Sequence, residues 1–189
     1  MNKEKISKII DEISRNFAEL SNSCNDDINT ASELIIQSIQ SGGKVMFCGN
    51  GGSAADSQHL AAELIGRYRK DRKALPGLAL TTDTSNITAV ANDYAYKQIF
   101  SRQIEGLGKE NDVLYAISTS GKSENIIEAI NTAKKLKIKT IGVTGKDGGD
   151  MSNICDIVIK APASMPDRIQ ELHIAIGQII CGIVEETLC

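Results

Sequence analysis

Apolar residues return every three or four positions at the start of the chain: Ile6, Ile9, Ile10, Ile13, Phe17 and Leu20. That spacing predicts an amphipathic helix with one apolar stripe. A second helix is predicted from about Asp26 to Gln40, stopped by Ser41-Gly42-Gly43. The pattern then changes to short apolar, often β-branched runs: KVMFC (44–48), GLAL (77–80), DVLYAI (112–117), KTIGV (139–143) and DIVIK (156–160). These read as parallel strands buried on both faces. Between them lie helical stretches at Ser53 to Ile65, about Ser85 to Val90, Ala95 to Leu107 and Ser123 to Leu136, and a long last helix runs from about Pro166 to Leu188. Strands alternating with helices, joined by right-handed crossovers, predict an α/β fold. It is a doubly wound, five-stranded parallel sheet with extra N-terminal helices and a long C-terminal helix.

The last helix carries Ile169, Leu172, Ile174, Ile176, Ile179, Ile180, Ile183 and Val184 over more than one face. The stripe of the first helix also needs a partner. A helical subunit interface answers both; cover for the domain's own sheet is the plainer alternative. Residues 1–32 are accordingly read as an N-terminal oligomerisation segment and 33–189 as the sheet domain.

The length of 189 residues suits one domain, and 41% hydrophobic with 24% charged residues is a globular composition. A net charge of −3 gives no sign of a general nucleic-acid binder or of a membrane-surface protein. The one basic cluster, RYRKDRK (67–73), reads as a solvated turn rather than an anion site. The opening MNKEKISKIIDEI lacks the apolar core of a signal peptide, and no apolar run approaches the roughly 18 residues of a membrane span. Five cysteines (24, 48, 155, 181, 189) form no CxxC pair, and their odd number argues against a complete disulfide framework. A cytoplasmic protein is expected.

Two loops should leave strand ends and open helices with small polar residues: GNGGS (49–53) and STSGKS (118–123). Both would aim free backbone N–H groups and a helix dipole at the crevice beyond the sheet, which favours an anion. The first fits a loose G-x-G-x-x-A dinucleotide pattern, yet the nearest acidic residue, Asp83, lies 34 positions after Gly49 rather than about twenty. The second ends like a P-loop, but Ala116 stands where the motif needs its first glycine. A monophosphate held by serine-rich helix starts remains, and it suits a sugar phosphate.

His59 and Glu63 are four apart on the helix after the first loop, so they share a face. Such a pair can bind zinc or shuttle a proton, and the spacing alone fits a plain surface pair at least as well. On the last helix Gln170 and Gln178 are separated by roughly 80° around the axis, close enough to face one cleft. His173 lies about 60° to the other side of Gln170.

Taken together, GGKVMFCGNGGSAADSQHLAAELIGRY, AVANDY, IFSRQ, AISTSGKS, VTGKDGG and DRIQELH, in that order, resemble one family over nearly the whole chain. It is the sedoheptulose 7-phosphate isomerases, or phosphoheptose isomerases, built on the sugar isomerase (SIS) fold. The resemblance implies that Asn50, Gly51, Gly52 and Ser53 shape one wall of the substrate pocket and that Asn92 and Asp93 contact the sugar chain. It assigns Ser118, Thr119, Ser120 and Ser123 to the phosphate. His59, Glu63 and Gln170 would contribute to a zinc site, one ion per subunit, with Gln170 also in the substrate pocket and Glu63 as catalytic base and substrate contact. It further implies a homotetramer that acts on a sugar phosphate in heptose biosynthesis for surface polysaccharides, with no nucleic-acid or membrane partner.

One position departs from the family. Eight residues after the glutamine, where the family has a zinc-ligating, proton-exchanging histidine, this chain has Gln178. A glutamine cannot exchange a proton near neutral pH and is a poor zinc ligand. The resemblance therefore also admits a non-catalytic SIS protein that binds a sugar phosphate and a protein partner, of the type that associates with the initiator DnaA. That relative lacks the glutamate that this chain keeps at position 63.

Overall fold

The computed structural model describes residues 2–189. Two helices come first, α1 (Asn2–Ser23) and α2 (Asn25–Gln40). The alternating part follows: β1 (Val45–Gly49), α3 (Gly52–Ile65), β2 (Gly77–Ala79), α4 (Thr84–Asp93), α5 (Ser101–Leu107), β3 (Val113–Ser118), α6 (Glu124–Lys135), β4 (Lys139–Thr144), β5 (Ile157–Lys160) and α7 (Pro166–Leu188). The five strands are all parallel in the order β2-β1-β3-β4-β5, as the alternation of runs predicts.

Period-two alternation divides the core into two layers. In β3, Val113, Tyr115 and Ile117 face one side, where α2, α3 and α7 bring Ile28, Ile35, Leu60, Leu64, Leu172, Ile176 and Val184. Leu114 and Ala116 face the other, against Ile104 of α5 and Ile126, Ala129, Ile130 and Ala133 of α6. Every residue of β1 and β3 is buried, which is why those segments carry unbroken apolar runs.

Three details differ from the periodic pattern. The expected helix at 95–107 starts late and is split: Ala95 is extended at φ −164, ψ 153, and a 3₁₀ turn at Tyr96–Gln98 is separated from α5 by Ile99 and Phe100. The helix expected at 85–90 is longer, and the Asp83 carboxylate caps it by accepting the Asn86 N–H at 3.0 Å. The boundary drawn between residues 32 and 33 falls inside α2, which buries Ile28 and Ala31 on one side of it and Ile35 on the other. At the end of α2, Gly42 takes φ +80, the left-handed turn that the Ser-Gly-Gly stop foretells.

Candidate active site

Both small-residue loops sit at the carboxyl end of the sheet, where β1 and β3, adjacent strands, end. Gly51 has φ +56, a conformation that favours glycine, and it turns the chain from β1 into α3. A Cβ on Gly52 would come within 2.5 Å of Gln170 Oε1, so the glycine admits the side chain of α7 to the loop. Asn50 and Asn125 exchange amide hydrogen bonds at 2.9 and 2.8 Å, which tie the first loop to the first turn of α6. The Tyr96 hydroxyl donates to Asn50 Oδ1 at 3.1 Å.

In the second loop the hydroxyls converge. Ser118 Oγ lies 3.1 Å from Ser123 Oγ and 3.5 Å from Ser120 Oγ, and the Lys122 N–H donates to Ser120 Oγ at 3.2 Å. Ser123 stands at the N-cap of α6, but its side chain makes no capping bond. Its hydroxyl is turned into the cluster. Thr119 and Ser120 also line an open cavity of about 260 Å³ with Lys122, Lys146 and Ser164.

About two turns into α3, His59 Nε2 lies 3.0 Å from Glu63 Oε1. The imidazole is half exposed and the carboxylate about one-fifth, so both reach solvent. Gln178 Nε2 lies 3.4 Å from the same imidazole nitrogen. That meeting depends on Gly177, where a Cβ would collide with the Leu60 side chain, so the glycine lets α7 approach α3 closely. Asn92 and Asp93, at the exposed end of α4, bond to each other at 2.8 Å and to no other expected site residue among the described ones.

Two further titratable groups sit near this layer. Burial raises Asp56, one turn before His59, to about 6 against the opposing pull of His59, and its Oδ2 has no hydrogen-bond partner among the described residues. His173 is buried, and among the described residues neither ring nitrogen meets a partner in hydrogen-bond geometry; burial lowers it to about 4, opposed by the nearby Thr144 backbone.

The geometry admits a zinc ion in part. Two donors about 2.0–2.1 Å from a tetrahedral ion stand roughly 3.3 Å apart, close to the His59–Glu63 separation of 3.0 Å. Among the described residues no third His, Cys, Asp or Glu joins them. Gln170 and Gln178 can add only neutral carboxamide oxygens, so the donor set fits the ion with two strong ligands.

Sequence reasoning missed Asn125 and Tyr96, which meet Asn50 across 75 and 46 residues of chain and left no signal in the sequence.

The comparisons with known proteins bear on the fold and the family. The SIS domain family model matches residues 9–145. The phosphoheptose isomerase of Rhodospirillum rubrum is 53% identical over 166 residues, 88% of each chain, and that of Nitratiruptor sp. is 48% identical over 97% of this chain and 98% of its own. Among solved structures, a phosphoheptose isomerase from Francisella tularensis superposes with a TM-score of 0.95 at 36% identity, covering 98% of this chain and 99% of its own. The phosphoheptose isomerase from Neisseria gonorrhoeae gives 0.93 at 38% identity, with 98% and 100% covered. With the site and the fold both in place, the chain belongs to the phosphoheptose isomerase family of SIS-domain proteins.

Proposed function

We propose that the protein interconverts sedoheptulose 7-phosphate and D-glycero-D-manno-heptose 7-phosphate, the entry to nucleotide-heptose synthesis. One observation carries the mechanism. The His59–Glu63 pair opens to solvent on the same helix that leaves the glycine loop, beside the strand that ends in the serine cluster.

The serine hydroxyls and the N-terminus of α6 receive the phosphate and so fix one end of the sugar. Asn50, held by Asn125 and Tyr96, and Gln170, lodged against Gly52, form the wall along the chain of hydroxyls. Glu63 takes a proton from C1 and returns it to C2 through a cis-enediol, while the hydroxyl proton of O1 passes to O2, and His59 keeps the carboxylate oriented. Positioning by the distant phosphate lets this transfer proceed within one complex.

Zinc bound by His59 and Glu63, with Gln170, would supply Lewis acidity toward the oxygen that gains charge. A homotetramer in the cytoplasm is proposed as the working form. The apolar stripe of α1 supports the assembly, since Ile6 and Ile10 are each more than half exposed in the single chain.

The test is NMR of sedoheptulose 7-phosphate mixed with the zinc-supplemented protein, beside a chelator-treated control. Appearance of the aldose phosphate is expected. Ligand broadening without product would reject the isomerase and leave a sugar-phosphate-binding protein.

A further inference from the structure

The basic run at 67–73 reads as a solvated turn in the sequence, yet the structure buries one of its members. The side chain of Arg72 is 4% exposed, and that of its partner Glu185 on α7 is 3% exposed. Arg72 Nε donates to Glu185 Oε1 at 3.0 Å. Its Nη2 donates to the Glu63 carbonyl at 2.8 Å, and its Nη1 to the carbonyls of Leu64 at 2.7 Å and Gly66 at 3.2 Å. These carbonyls belong to the last turn of α3, where a helix leaves its acceptors unpaired and a cation is favoured.

Glu185 is held as tightly. Its two oxygens also accept the backbone N–H groups of Tyr68, Arg69 and Lys70 at 2.8–3.0 Å. Burial alone would raise its carboxyl, but these three donors and Arg72 hold it down at about 2, so it stays charged. A buried ion pair is a weak stabiliser compared with apolar packing, so stability alone does not explain one placed here. A lysine could neutralise the helix end, but only a planar fork can reach a carboxylate, these three carbonyls and that of Lys73 together.

We propose that Arg72, seated by Glu185, is a positioning residue for Glu63: it fixes the last turn of α3 to α7, so that the carboxylate meets the substrate at one height. Gln178 lies about two turns before Glu185 on α7, so the clamp also fixes the two helices on which His59 and Gln178 meet. The inference rests on the isomerase reading with Glu63 as base.

The test compares wild type, Arg72→Lys and Glu63→Gln as full-length protein. Arg72→Lys keeps the charge opposite Glu185 but loses the fork, and so avoids the unpaired buried carboxylate that could keep Arg72→Ala from folding. The expected result is a kcat lowered at least tenfold with KM within twofold, because the serine loop that holds the phosphate lies outside the clamp. Amide hydrogen exchange of residues 63–66 should quicken at least tenfold while β3 and α6 keep wild-type protection. A kcat within twofold of an active wild type, with Glu63→Gln inactive, overturns this inference and leaves the isomerase standing. Exchange that quickens equally across the sheet also overturns it, as a general loss of stability. A wild type that isomerises nothing overturns the functional reading and this inference together.

Discussion

At the scale of single residues, the proposed reaction turns on one partly exposed carboxylate, Glu63. Glu63→Gln keeps the shape of the side chain and a hydrogen bond to His59, but the amide cannot accept the substrate proton near neutral pH. The expected outcome is a fall in kcat of about 10²–10⁴, with phosphate-ligand affinity by calorimetry nearly unchanged. Undiminished turnover would reject Glu63 as the base. Gln178 sets the metal question, because its amide lies against the imidazole nitrogen that would face zinc. Gln178→His would place a second imidazole there, and zinc affinity, read by competition with a chelating dye, should rise at least tenfold. Unchanged affinity would put position 178 outside the coordination sphere. The His59–Glu63 pair was legible in the sequence because i, i+4 geometry is local to one helix. The meeting of Gln178 with His59 was implied only by the family resemblance and not by the helix pattern, since it depends on Gly177 and Leu60 meeting across two helices. Arg72 was hidden for the same reason: its charge is local, but Glu185 stands 113 residues away.

At the scale of elements, the strands were the most legible feature, because burial on both faces forces unbroken apolar runs. The break at Ile99 and Phe100 was illegible: neither residue carries a stop signal, and both pack into the second core layer just before α5 begins. The helix α1 presents the opposite case, a strong pattern with little for it to cover in one chain. It buries Leu20, while Ile6, Ile9, Ile10 and Phe17 stay exposed. Burying one such side chain in an interface contributes about 1.5–3 kcal/mol. The triple variant Ile6→Lys, Ile10→Lys, Phe17→Lys should therefore yield a smaller assembly than wild type by light scattering. Its thermal transition should fall only to the extent that assembly supports it. An unchanged molar mass would remove α1 from the interface.

At the scale of the whole molecule, groups far apart in sequence combine to set the response to acid. His173 is neutral in the fold, lowered to about 4 by burial, whereas an unfolded histidine protonates near 6.5. The unfolded chain then binds the extra proton, so this contribution is complete above pH 6.5 and lost as pH falls to about 4. The slope is about 1.4 kcal/mol per pH unit, roughly 3 kcal/mol in all. Asp56 acts with the opposite sign. Burial raises it to about 6 from an ordinary 3.8, so the fold holds a proton that the unfolded chain releases, and acid favours folding between those values. Because Asp56 is only half-buried, solvent screens part of this, and it offsets His173 incompletely. Glu185, held at about 2 against an ordinary 4.5, enters last; its contribution is present above pH 4.5 and lost as pH falls through 2. Wild-type stability, measured by urea unfolding, should therefore decline gently from pH 6 to 4.5 and steeply below. Asp56→Asn should decline steeply from pH 6.5 onward, because the opposing proton is gone. His173→Leu should gain stability as pH falls from 6 to 4.5. Parallel curves for wild type and Asp56→Asn through that window would show that the two buried groups do not oppose each other, and that acid acts elsewhere in the fold.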